Sequence, residues 1–287
     1  MFPLKDNIPL SRFPMVTVTL AAINVVVYLL AIRHGGSFFG GPTPSVAVHY
    51  GAIPYEFTHS GSHCYLVPLQ VHQAASDMAF CQRFPEESLA LLRFGPIPPA
   101  QPATWQTAFT SMFLQGSFLP IFGNMLFLVI FGPTVEDSTG RGRFVIFYLL
   151  GGLVALGVHV LVAPNSTSPE LGAAGAITAV LGGYILLHPH ARVLSIVPIP
   201  FFVTIIAVPA FALLVFWFAM QLALSVAGLT SPLGGVDGGV HIGAFIFGML
   251  VIRLFVGIGR GSADKHEPPS RRPSSTDQMV PRTSSRA

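Results

Sequence analysis

Charge is scarce in this sequence. Of 287 residues, 15 are Lys or Arg and 12 are Asp or Glu, together 9%, where a soluble domain carries about a quarter. That scarcity, with so many apolar residues, excludes a disordered chain and nearly all soluble domains of this size, and two cysteines exclude a disulfide scaffold. There is no repeat of solenoid type, no phosphate-cradling glycine loop and no nucleic-acid motif, so nucleic acid is not an expected partner. What is present is apolar: hydrophobic residues make up 52%, 24 residues are Phe, and the mean hydropathy is +0.65. Apolar surface this extensive needs lipid, so the chain is expected to be an all-α, multi-pass membrane protein with the bilayer as its first partner.

A helix crossing a bilayer needs roughly 20 mostly apolar residues. Six segments qualify: Pro14–Ile32, Phe118–Val135, Phe144–Ala163, Leu171–Leu187, Pro209–Gly228 and Gly238–Ile258. A seventh apolar stretch, Val193–Val208, is broken by Pro198 and Pro200 and abuts Pro209. Proline removes a helix donor and clashes with the preceding turn, so this stretch is read as interfacial or re-entrant.

The connections test that count. Lys5 and Arg12 precede the first span, Arg141 and Arg143 follow the second, Arg192 follows the fourth, and Arg260, Lys265, Arg271, Arg272, Arg282 and Arg286 follow the last. The connections Pro164–Glu170 and Leu229–Asp237 hold no Lys or Arg. The positive-inside rule then expects six spans with both termini cytoplasmic, and the expected location is a bacterial plasma membrane. The first span lacks a long basic leader and a small-residue cleavage site and reads as a retained helix. The expected organisation is a cytoplasmic N-terminus (1–13), a membrane domain (14–258) and a disordered basic tail (259–287).

The connection between the first two spans, 34–106, is long and by this topology exported; loops of that length are usually functional or partly folded. It holds Cys64 and Cys81, and an oxidising location favours a disulfide between them. His59, His63, Cys64 and His72 fit no standard zinc spacing and are read as solvated loop residues, so no metal is expected.

Polar groups within spans are costly, and each is a functional hypothesis. Asn24, Gln221 and His159 are explained by interhelical hydrogen bonds of about 1 kcal/mol or less each. Asn124 in the second span and His241 in the last remain. The run Gly172-Ala173-Ala174-Gly175-Ala176, continued by Ala179, Gly182 and Gly183, makes a face of small residues on the fourth span. His241, Ala244 and Gly248 form one stripe of the last span, so the two helices can approach closely. Close packing alone does not call for a histidine on that stripe.

These residues resemble the rhomboid family, in its actinobacterial type. Gly172-Ala-Ala-Gly175-Ala resembles the family's Gly-x-Ser-Gly motif, and His241-x-x-Ala244-x-x-x-Gly248 resembles its His-x-x-Gly-x-x-x-Gly. Phe122-Gly-Asn124-Met-Leu-Phe127, then Val135-Glu136-Asp137 and Gly140-Arg141, are similar to the second span and the loop after it. The Phe-Pro-Leu-Lys start and the two-cysteine loop extend the likeness from Met1 to about Gly257. The resemblance implies a six-helix rhomboid-like bundle and an intramembrane serine endopeptidase that cleaves transmembrane substrates without a cofactor. It implies a serine nucleophile on the fourth span, His241 as its base, and Asn124 with backbone amides holding the oxyanion.

The chain departs from that pattern at the nucleophile, where Ala174 stands. Pro120 occupies the position of a histidine that assists the oxyanion in the family, and Gln115 another position often held by histidine. Loss of one oxyanion donor typically costs about 10²–10³ in rate, and loss of the nucleophile removes the covalent route. Thr178, one turn from Ala174, is displaced by about 5–6 Å and would miss an oxyanion site built around Ala174. Two readings stand: a pseudoprotease that binds single-span membrane clients, or an active protease carrying a Ser→Ala change at 174. Asp237, four residues before His241, reads as a helix cap before a partner of the imidazole, and His188 and His190 as interfacial residues closing the fourth helix.

Overall fold

The computed structural model describes residues 2–67, 78–82, 102–199, 202–226 and 237–256. Six apolar helices coincide with the six expected segments: α1 Met15–Ile32, α5 Phe118–Thr139, α6 Arg141–Val162, α7 Ala174–Leu187, α8 Ala210–Val226 and α9 Asp237–Phe255. Among the described residues, α1, α5 and α6 are long and apolar enough to cross a membrane. The described apolar runs of the other three, Ala174–Leu187, Ala210–Met220 and Gly239–Phe255, are shorter. α5 runs past the expected Val135 to Thr139, through Pro133. Gly140, with φ +87°, then turns the chain directly into α6; at that dihedral glycine is favoured over any residue with a Cβ.

The connection after α1 is partly folded. It carries α2 Pro44–Tyr50, α3 Pro54–Thr58, the antiparallel pair β2 His63–Val67 and β3 Met78–Gln82, and then α4 Thr104–Thr110. α2 opens on Pro44, where the missing N–H costs nothing, and the Thr43 hydroxyl accepts from the Val46 amide at 3.5 Å. Cys64 and Cys81 lie directly opposite each other in the β2–β3 register and are joined by a disulfide. The buried Glu56 carboxylate accepts from the Cys64 amide at 2.7 Å, and its burial raises its pKa above the ordinary 4.5. Burial also lowers the pKa of His49 in α2. His72 lies outside the described residues, and the disulfide takes Cys64 from any metal set.

The chain is mostly helical, but the expectation of an all-α fold is corrected at Val193–Val208, read from the sequence as interfacial or re-entrant. That stretch is a β-hairpin, β4 Arg192–Ile199 and β5 Phe202–Pro209, with Pro198 opposite Val203 and Ile199 opposite Phe202. β1, Phe2–Asp6, pairs antiparallel with β4, with a register shift between Pro3 and Lys5, and the sheet order is β1-β4-β5. Proline blocks a helix here, and alternating Val and Ile side chains suit a pleated strand. A proline at each end of the hairpin, Pro198 and Pro209, is tolerated because these are the ends and edges of a small sheet.

The sheet lies at the end of the bundle where α1 begins and α5 and α7 finish. The buried Asp6 carboxylate accepts from the Thr134 hydroxyl at 2.6 Å and the Tyr184 hydroxyl at 3.2 Å. Glu136, 3% exposed, accepts from the amides of Val16 and Thr17 and the Thr17 hydroxyl at 2.8–3.0 Å. It therefore supplies the N-terminal cap that α1 lacks in its own sequence, where Pro14 precedes the helix. Asp137 accepts from the Ser11 amide and hydroxyl, binding the residues before α1 to the end of α5. Above this end the core is aromatic and aliphatic: Phe131, Phe144, Phe147, Tyr148, Leu181 and Tyr184 are fully buried.

Three expectations fall outside the described structure: the tail 259–287, and the side chains of Gln221 and Asp237. The main chain of Asp237 is the first residue of α9.

Candidate active site

The candidate site is at the opposite end of the bundle, where α7 begins. The chain reaches it through Gly172, whose φ of +114° is a left-handed value suited to glycine. Its amide donates to the Ser111 carbonyl at 2.8 Å. A Cβ at 172 would stand 3.2 Å from Gln115 Oε1 and 3.7 Å from Asn124 Nδ2. Glycine there brings the backbone against two side-chain amides, and Ala174 follows two residues later as the first, half-buried residue of α7.

Those amides belong to a chain of hydrogen bonds across three segments. Asn124 Nδ2 in α5 donates to Gln115 Oε1 at 2.9 Å; Gln115 Nε2 donates to Asn24 Oδ1 in α1 at 2.7 Å; Asn24 Nδ2 donates to the Leu20 carbonyl at 2.9 Å. Gln115 and Asn24 are fully buried, and Asn124 is half-buried at the open end of the chain. A buried amide left unpaired costs about 1–3 kcal/mol, which makes this network a rigid support for Asn124.

The small residues explain how the helices meet. A Cβ at Gly175 would overlap the Ala155 methyl of α6, and one at Gly248 would overlap the Ala179 carbonyl. One at Gly182 would overlap the Phe245 carbonyl, and Gly183 faces Ile252 at 3.0 Å. The contacts advance together along both chains, so α7 and α9 run parallel and start at the same end of the bundle. His241, 8% exposed, is in the second turn of α9, and its neighbours Val240 and Ala244 pack on Ala155. The structure thus brings Gly172, Gln115 and Asn124 together, with Ala174 at the start of α7 and His241 near the start of its parallel neighbour. Pro120 is not part of this group: it is exposed in the first turn of α5, where a proline is tolerated. Thr178 is fully buried one turn into α7.

The loop before Ala174 is fixed from outside the bundle. Glu170 exchanges two backbone hydrogen bonds with Ala52, at 2.8 and 3.2 Å, and its carboxylate binds His159 Nδ1 of α6. The Tyr55 amide donates to the Ser166 carbonyl at 3.0 Å, and the Thr58 hydroxyl to the Pro164 carbonyl at 2.7 Å. Sequence reasoning assigned Asn24 and His159 to generic interhelical bonds and passed over Glu170 and Glu136. Glu136 was legible as part of Val135-Glu136-Asp137, but its partner lies 119 residues away.

Helical spans closing on a small-residue seam, with a buried histidine and a supported asparagine at one end, define a helical membrane protein with its polar site inside the bundle. The family model described as Rhomboid domain matches residues 102–258, and the chain belongs to the rhomboid family. Similar proteins include the presenilin-associated rhomboid-like protein, mitochondrial, of Mus musculus, 29% identical over 182 residues, covering 62% of this chain and 46% of that protein. The protein of the same name from Homo sapiens is 28% identical over 179 residues, 61% of this chain and 45% of its own length. Rhomboid protein 1, mitochondrial, of Saccharomyces cerevisiae is 32% identical over 144 residues, 49% of this chain and 39% of its own. The chain spans less than half the length of these curated relatives. The expected bacterial plasma membrane is corrected by this finding: the relatives are mitochondrial proteins and point to a mitochondrial membrane.

Proposed function

We propose that this chain is a six-span rhomboid-fold protein of a mitochondrial membrane, with α1 and α5–α9 as the spans, and that it binds a transmembrane segment of a single-span client without cutting it. The observation that carries this reading is Ala174 at the first residue of α7, two residues after Gly172, whose backbone lies against the Asn124 amide. A methyl group cannot attack a carbonyl, and Ala174 offers no hydroxyl proton to a base. The rest of the site still suits binding. Asn124 gives one N–H to Gln115 and has a second to offer a carbonyl of an extended client strand. The absence of a Cβ at Gly172 leaves room for that strand, and no cofactor or metal is required.

The test is the purified full chain in nanodiscs with a photo-crosslinking single-span segment. Crosslinking without cleavage supports the reading; serine-dependent cleavage abolished by His241→Ala overturns it.

The preserved frame around Ala174 favours a second reading, an intramembrane serine endopeptidase represented by a Ser→Ala variant. In that case Asn124 and backbone amides hold the oxyanion, and Ala174→Ser reacts with a fluorophosphonate probe and cuts a model single-span substrate. If Ala174→Ser stays inert while Ala174→Ser with Pro120→His gains activity, the pseudoprotease reading is favoured.

A further inference from the structure

The sheet end of the bundle sorts its charges by sign. Lys5, Arg12, Arg141, Arg143, Arg192 and Arg253 are all exposed there. The acids at the same end are turned inward: Asp6 is 8% exposed and bound by Thr134 and Tyr184, Glu136 is 3% exposed and caps α1. Asp137 is half-buried and held by Ser11. Among the described residues, this end therefore presents a rim of cations, with its carboxylates turned inward and hydrogen-bonded by protein donors.

The hairpin within that rim is apolar on its outer face. Residues opposite each other in an antiparallel pair share a face. Val193, Ser195 and Asp6 face the bundle and are buried. Leu194 pairs with Ala207 and Ile196 with Ile205 on the other face, where Leu194 is 44% and Ile205 57% exposed. Lys5 lies beside Leu194 on β1, and Arg192 begins β4 on the same face. Ile206, on the inner face of the outermost strand, is 42% exposed as well, so β5 is apolar on both sides. A strand facing water would alternate apolar and polar residues. Among the described residues no strand pairs with the outer edge of β5, and unpaired strand groups are too costly for the hydrocarbon centre but solvated among headgroups.

We propose that the outer face of β1, β4 and β5, with its rim of Lys and Arg, is a docking surface for anionic phospholipid, the hairpin lying in the headgroup layer with its apolar side chains toward the acyl chains. Charge complementarity selects this occupant, since each Lys or Arg near an anionic surface adds to binding and, among the described residues, no exposed acid at this end opposes it. The proposal is independent of the chemistry at Ala174.

The test uses the full chain carrying Ile205→Cys; the two native cysteines are bonded to each other, so a spin label attaches at position 205. In nanodiscs of phosphatidylcholine with phosphatidylglycerol, the label is expected to be accessible to oxygen and shielded from an aqueous nickel chelate. Native mass spectrometry is expected to find phosphatidylglycerol retained over phosphatidylcholine, and Lys5→Gln with Arg192→Gln to lower that preference roughly fivefold per charge. Both side chains are exposed, so monodisperse elution of the double variant shows that the fold is kept. A label open to the nickel chelate in the anionic nanodisc, a preference unchanged in the double variant, or spin–spin broadening from a second copy paired along β5 would each overturn the proposal.

Discussion

Gln115 holds the Asn124 side chain by a 2.9 Å hydrogen bond while its own amide is anchored at 2.7 Å to Asn24, 91 residues away in sequence. The orientation of Asn124, the donor nearest Gly172, is therefore set by α1 as well as by α5. Gln115→Leu would leave two amides without their partner at a cost of about 1–3 kcal/mol. The expected result is a lowered melting temperature in detergent, and weaker client crosslinking than the melting change alone predicts. Asn24→Leu should reproduce the same pair of effects in weaker form, since Gln115 keeps its bond to Asn124.

The approach of α7 and α9 rests on Gly248, where a methyl group would run into the Ala179 carbonyl. Gly248→Ala is expected to force the two backbones apart and to cost about 1–3 kcal/mol, the usual range for overpacking. Gly123→Ala is the control: nothing lies within 4 Å of the added methyl. Its melting temperature should be unchanged or slightly raised, because alanine is the better helix former. Thermal unfolding of both variants in one detergent makes the comparison.

Glu136 caps α1 from the far end of α5. Glu136→Ala leaves two helix amides and the Thr17 hydroxyl without an acceptor, and is expected to destabilise the chain by about 1–3 kcal/mol. Glu136→Gln keeps an acceptor but loses the charge, and should fall between. Limited proteolysis before Met15 reads the fraying of α1 directly, and it should rise in the order wild type, Gln, Ala.

Burial raises the pKa of Glu56 above 4.5, so the folded chain holds this proton more tightly than the unfolded one. Its contribution to stability is fully present below the unfolded pKa and is lost as pH rises through the raised folded value. Glu56→Gln keeps an acceptor for the Cys64 amide and cannot ionise. Melting curves across the acid range should show the wild type losing stability relative to this variant over that window and running parallel above it. A constant offset at every pH would contradict the assignment.

Much of the helical frame is written locally. Each of the six apolar runs is marked by its own length and apolarity, and the glycines of the fourth and last helices mark where backbones meet. The hairpin at Arg192–Pro209 was only half legible: Pro198 and Pro200 excluded a helix, but strand pairing also needed β1, nearly two hundred residues earlier, as a neighbour. The same holds for Asn24. A lone asparagine in a span announces a hydrogen bond without naming its partner, and Gln115 is 91 residues away.

The sequence by itself determined that this chain lives in lipid, which segments are apolar enough for the bundle, and that a methyl group stands at 174 within the run Gly172-Ala-Ala-Gly175-Ala. These are properties of composition, local period and residue identity, which no fold can change. The tertiary structure alone decided which polar groups bond one another: Asp6 with Thr134 and Tyr184, Glu136 with the start of α1, Gln115 between Asn24 and Asn124. Each bond joins residues distant in sequence and depends on helix packing to within an ångström. The cations exposed at the sheet end, like the Asn124 amide beside Gly172, are set out by that pairing.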